Sequence, residues 1–171
     1  MPPSPDRPPP PDDAGAAAAA AATARSPAQL AALYQELILD HYRRPRNKGA
    51  VERPDAVGAA RNPLCGDEVE VSVALDGDRV ADARFTGRGC SISQAAASMM
   101  TGLVRGRTRA EVAALRRRVA ELLAGDAAAA ADPSLGDARA LAGVATYPAR
   151  HRCASMAWEA VEKALGRGTE G

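Results

Sequence analysis

The sequence predicts an α+β fold: a small antiparallel sheet of about three strands, packed on one face by about five helices. Two observations carry this. Glu68 to Leu75 alternates, with Val69, Val71, Val73 and Leu75 on one face, and Asp76-Gly77 signals a hairpin turn into a return strand from Val80 to Thr86. The segments around that hairpin place apolar residues at helical spacing and are bounded by capping residues, prolines and glycines. One sheet face is polar, so the helices belong on the other.

The chain has 171 residues, enough for one domain with a sizeable core. Residues 1–26 carry Pro2, Pro3, Pro5, Pro8 to Pro11 and an alanine run from Ala16 to Ala22, and are expected to be a disordered tail. They lack the positive start and strongly apolar run of a secretory signal. No stretch reaches transmembrane length without a charge or a helix breaker. The folded domain is expected to span residues 27–167, with a flexible C-terminus at 168–171.

Ser26-Pro27-Ala28-Gln29 is a capping box with proline in the first turn. Leu30, Leu33, Tyr34, Leu37, Ile38 and His41 follow as one stripe, with His41 expected as a hydrogen-bonded core residue. Pro45 stops the helix near Arg44. The basic cluster of Arg43, Arg44, Arg46 and Lys48 reads as a solvated face, with an acidic docking partner as the alternative. Ala56 to Arg61 is a short strand. On the return strand, Ala81, Ala83 and Phe85 are expected to share the buried face.

Ser91-Ile92-Ser93-Gln94 resembles a second capping box, opening a helix with Ile92, Ala95, Ala96, Met99 and Leu103. Thr108 to Glu111 is a third, starting a helix with Val112, Leu115, Val119, Leu122 and Leu123. Arg116, Arg117 and Arg118 are expected on its wet side. Asp126 to Asp137 reads as a flexible connector or short helix. Pro148 primes a last helix with Cys153, Ala157, Trp158, Val161 and Leu165, ending at Gly166.

The three cysteines do not form a disulfide framework, since their number is odd and they lie far apart. Reduced thiols in a cytoplasmic protein fit better. Twenty-two Lys and Arg stand against 21 Asp and Glu, so nothing points to nucleic acid or an anionic membrane. A free cysteine is ordinarily a small buried hydrophobe. These three sit elsewhere: Cys65 in a turn beside Gly66, Cys90 heading a helix after two glycines, Cys153 in the first turns of another. Helix starts stabilise a thiolate, and Arg150 is on the same helix face as Cys153. Asp67 lies two residues after Cys65. Three thiolates and a carboxylate make four ligands, the number zinc takes in a tetrahedral site. No local C-x-x-C pair exists, so such a site has to be assembled by tertiary structure.

Asp40-His41-Tyr42-Arg43-Arg44-Pro45-Arg46-Asn47, Asn62-Pro63-Leu64-Cys65-Gly66-Asp67 and Gly87-Arg88-Gly89-Cys90-Ser91-Ile92-Ser93 together resemble the IscU/NifU N-terminal iron–sulfur cluster assembly family. The resemblance runs from about Leu33 to Leu165. It places Cys65, Asp67, Cys90 and Cys153 at the family's metal positions. Arg150-His151-Arg152-Cys153 and the long segment before it resemble the SufU-like branch, whereas the IscU-like branch carries a histidine where Arg152 stands. His151 departs from the branch pattern and leaves a histidine ligand open. The branch resemblance implies a zinc-dependent sulfurtransferase. A SufS-type cysteine desulfurase would deliver persulfide sulfur to Cys65, with Arg150 beside the site and other cluster-assembly proteins downstream. The alternative it implies is a scaffold holding a [2Fe-2S] cluster on the same cysteines.

Overall fold

A computed structural model describes residues 26–169. The proposed tail, up to residue 25, and residues 170–171 lie outside the described residues. Helix α1 (Pro27–Arg43) opens with the Ser26–Gln29 capping box: Ser26 Oγ accepts from the Gln29 amide, and Gln29 Oε1 accepts from the Ser26 amide. Strands β1 (Ala56–Asn62), β2 (Asp67–Asp76) and β3 (Arg79–Arg88) form one antiparallel sheet in the order β1-β2-β3. Helices α2 (Ser91–Val104), α3 (Arg109–Leu123), the single turn α4 (Ala127–Ala130), a 3₁₀ segment (Pro133–Val144) and α5 (Pro148–Thr169) complete the domain. Among the described residues, no helix is long and apolar enough to cross a membrane.

Helices α5 and α2 cover one sheet face, α5 over β1 and β2, and α2 mainly over β3. The approach of α5 is close: a Cβ on Gly58 of β1 would fall 2.1 Å from the Ala160 carbonyl oxygen. Val69, Val71, Val73, Ala83 and Phe85 meet Met100, Met156, Trp158 and Val161 in one continuous core. Helix α2 is buried almost all round, because α1 packs on the side away from the sheet. His41 of α1 is 5% exposed; its Nδ1 lies 2.8 Å from Ser98 Oγ on α2 and its Nε2 2.8 Å from Asp137 on the 3₁₀ segment. It is therefore the hydrogen-bonded core histidine expected, and it joins three elements.

Three local expectations change. Ala81 is exposed and Val80 is buried, because the β2–β3 register shifts between Ala74 and Leu75. An extra residue in one strand flips every side chain beyond it to the other face. The α2 capping box does not form: Cys90 is the cap and its side chain makes no cap bond. Helix α5 continues past Gly166 to Thr169. Of the two readings of Asp126 to Asp137, the helical one is found: Ala127–Ala130 is a helical turn, a 3₁₀ segment follows, and Leu135, Ala138, Leu141 and Val144 are buried.

Two of the three arginines expected on the wet side of α3 are cross-links. Arg116 pairs with Glu162 of α5, and Arg118 with Asp132 and Glu121. Arg44 and Arg46 both bind Asp40, which holds that carboxyl below the usual carboxylate range, Arg46 contributing most. Among the described residues, the Gln94 side-chain amide and the Trp158 indole N–H are buried without a hydrogen-bond partner.

Candidate metal centre

The β1–β2 ladder ends in a cross-strand pair, Asn62 opposite Asp67, and Pro63-Leu64-Cys65-Gly66 forms the turn between them. The Cys65 amide donates to the Asn62 carbonyl (3.2 Å) and the Leu64 amide to Asn62 Oδ1 (3.3 Å). Gly66 carries the positive φ of +70° that reverses the chain. The turn projects outward, so Leu64 is 94% exposed and Cys65 is exposed, while Asn62 and Asp67 at its base are each only 3% exposed.

Asp67 is held by the start of α2. Its Oδ1 accepts the Cys90 amide (3.1 Å), and its Oδ2 lies 3.4 Å from Cys90 Sγ, which donates to it. A carboxylate at a helix N-terminus takes the unpaired amide and the positive end of the dipole. Gly89 makes room for it: a Cβ there would lie 2.5 Å from Asp67 Oδ1 and 2.6 Å from Ser93 Oγ.

Cys153 lies under this hairpin end, fully buried on α5, and Asn62 Nδ2 donates to its sulfur at 3.7 Å. Burial, then Asp67 and Cys90, push its thiol up to about 12. The thiolate expected from the helix start is therefore not favoured at Cys153 in the metal-free protein. It sits inside the core beside a carboxylate, and without a bound cation its neutral form is favoured. Arg150 supplies the local positive charge. It hydrogen-bonds Cys153 and faces Cys90 and Cys65, contacts that raise its already high pKa.

The structure thus brings Cys65, Asp67, Cys90, Cys153 and Arg150 to one end of the sheet. Ligand atoms of Cys65, Asp67 and Cys153 lie within 4.8 Å of one another, and Cys90 joins through Asp67. Tetrahedral zinc with Zn–S bonds of ~2.3 Å has its ligand atoms ~3.7 Å apart, so small side-chain rotations would close the set. Three sulfurs and one carboxylate oxygen fit that ion in number and in chemistry. His151 takes a different place: its Nε2 bonds the Ala145 carbonyl at 2.8 Å, which ties the start of α5 to the preceding turn.

Three contributors were not assigned in the sequence: Asn62, Gly89 and the outward Leu64. The Asn-Pro pair before Cys65 and the Gly-x-Gly before Cys90 were the available signals. Reading them needed knowledge of what lies across from each.

The fold and the site together define a thiol-rich metal-binding α+β domain, with its donors gathered where a hairpin end meets two helix starts. The chain belongs to the NifU-like N-terminal domain family, whose model matches residues 33–154. It is 42% identical over 142 residues to the zinc-dependent sulfurtransferase SufU of Bacillus subtilis, spanning 82% of this chain and 94% of that protein. It is 39% identical over 140 residues to the iron–sulfur cluster assembly scaffold protein IscU of Streptococcus pyogenes, spanning 82% and 87%. The crystal structure of the N-terminal part of a nitrogen-fixing NifU-like protein from Brucella abortus superposes with a TM-score of 0.73 at 27% identity, covering 80% of this chain and 94% of that one.

Proposed function

We propose that this protein is a zinc-dependent sulfurtransferase of iron–sulfur cluster assembly. Cys65, Asp67, Cys90 and Cys153 are its metal ligands, and Cys65 receives persulfide sulfur from a SufS-type cysteine desulfurase. The observation that carries the reading is the asymmetry of the donor set. Asp67 and Cys153 are in the core, while Cys65 is exposed on a turn beside Leu64. The likeness to the Bacillus subtilis sulfurtransferase supports it.

Bound zinc would keep the thiols deprotonated at neutral pH. In the transfer, the Cys65 thiolate attacks the terminal sulfur of the donor's persulfide. A sulfur–sulfur bond forms on Cys65, the donor's own bond breaks, and the donor cysteine leaves as a thiolate. No oxidant or reductant is needed. Arg150 offsets part of the negative charge gathered among the three sulfurs. The exposed turn lets Cys65 reach a partner's cysteine without unfolding the core, and lets it pass the sulfur on to cluster-assembly proteins downstream. Such chemistry with free thiols suits a reducing, cytoplasmic setting.

The test is to incubate the purified protein with a pyridoxal-phosphate cysteine desulfurase and cysteine, then map persulfide by mass spectrometry. Sulfur on Cys65, stoichiometric zinc, and loss of desulfurase stimulation in Cys65→Ser are the expected results. The scaffold role, which the Streptococcus pyogenes relative's name carries, makes the opposite forecast: a stable [2Fe-2S] species after anaerobic reconstitution that passes to an apo-protein.

A further inference from the structure

Asn62 and Asp67 face each other at the base of the Cys65 turn, and both are buried polar residues. Each reaches a different helix. Asp67 binds Cys90 at the start of α2, and Asn62 binds Cys153 on α5. Asp67 belongs to the donor set already described. Asn62 does not, yet both ends of its carboxamide make contacts there. Its oxygen takes the Leu64 amide and its nitrogen faces the Cys153 sulfur. The assignment of the two ends is chemically forced. The Leu64 amide can only donate, so the oxygen must face it, and the N–H group is left for the sulfur.

We propose that Asn62 is a positioning residue of the metal centre, linking the buried sulfur of Cys153 to the exposed turn that carries Cys65. The proposal rests on the metal reading above. Through its oxygen Asn62 fixes the turn in an Asx-type bend, which sets where the Cys65 thiol points. Through its nitrogen it donates to the Cys153 sulfur, which fixes the direction of that side chain beneath the turn. Burial makes this contact matter. A sulfur without access to water has few polar neighbours, and the Arg150 guanidinium approaches it from its own helix, α5, whereas Asn62 reaches it from the sheet. One side chain thus acts on both the most buried and the most exposed of the three thiols.

Two variants separate the two ends of the carboxamide. Asn62→Ala removes both contacts. Asn62→Ser keeps a short acceptor for the Leu64 amide but cannot reach Cys153. Three quantities are measured on the full chain: zinc affinity by competition with a chromogenic chelator, the rate of Cys65 alkylation in metal-free protein, and thermal stability. Loss of an outer-shell partner of a metal ligand ordinarily weakens binding ~10–100-fold. Both variants are expected to show that loss. Asn62→Ala is expected to change the Cys65 alkylation rate as well, and Asn62→Ser to restore it. A merely structural Asn62 would move the melting temperature alone. Zinc affinity within about twofold of wild type in folded Asn62→Ser overturns the proposal. Wild-type protein that takes up no zinc overturns the metal reading and this inference together, so the two failures are distinguishable.

Discussion

Gly89→Ala tests the geometry of the donor set without touching a ligand. The added Cβ would lie 2.5 Å from Asp67 Oδ1, 2.7 Å from Asp67 Cγ and 2.6 Å from Ser93 Oγ, contacts that carbon atoms do not make. The carboxylate cannot simply rotate away, because its two oxygens are bound to the Cys90 amide and thiol. Gly89 also has φ +154°, and a non-glycine residue held there costs ~1–3 kcal/mol. Losing the charged hydrogen bond to the helix start adds ~1.5–3 kcal/mol. Partial relaxation leaves an expected loss of about 3 kcal/mol, or a drop of about 10 °C in melting temperature for a domain of this size. Because Asp67 must move, zinc affinity is expected to fall at least ~10-fold. The assays are a melting curve and chelator competition, with Gly102→Ala as control. Gly102 lies on α2, and a Cβ there meets nothing within 4 Å. If Gly89→Ala melts and binds zinc like the control, the placement of Asp67 against the α2 start is wrong.

Gln94 buries an amide with no partner, so Gln94→Met, a near-isosteric exchange, is expected to stabilise the protein by ~1–3 kcal/mol. A lower melting temperature would show that the amide is satisfied in solution. The raised Cys153 pKa gives the metal-free protein a defined pH dependence. The unfolded thiol ionises near ~8.5, whereas the folded one holds its proton to about 12. The unfolded state therefore sheds this proton first, and stability falls as pH rises across that interval. Cys153→Ala is expected to flatten the slope in urea titrations between pH 8.5 and 11, and an unchanged slope would count against the buried neutral thiol. Zinc binding must expel the same proton, so affinity is expected to rise with pH below that range, as read by chelator competition.

Much of the fold was legible in the sequence because the devices that make it are local. The Ser26–Gln29 box, the Asp76-Gly77 turn and the α3 stripe from Val112 to Leu123 each depend on residues within a few positions. Where the reading slipped, a distant partner had intervened. The bulge beside Ala74 turned Ala81 outward, and the α2 start gave its capping place to Cys90 and its amide to Asp67. Arg116 and Arg118 stay partly exposed, yet each pairs with an acidic group of α5 or the connector that no local pattern marks.

The sequence by itself determined which side chains have metal chemistry, because thiol, carboxylate and guanidinium are properties of residue types. Only the tertiary structure decided how deeply each thiol lies. Cys65 and Cys153 are the same group in the sequence. Packing α5 beneath the hairpin puts one in the core with its proton held, and the Asn62-anchored turn leaves the other in water. The turn at Gly66 marks Cys65 locally, but the burial of Cys153 comes from neighbours far along the chain that no local pattern encodes.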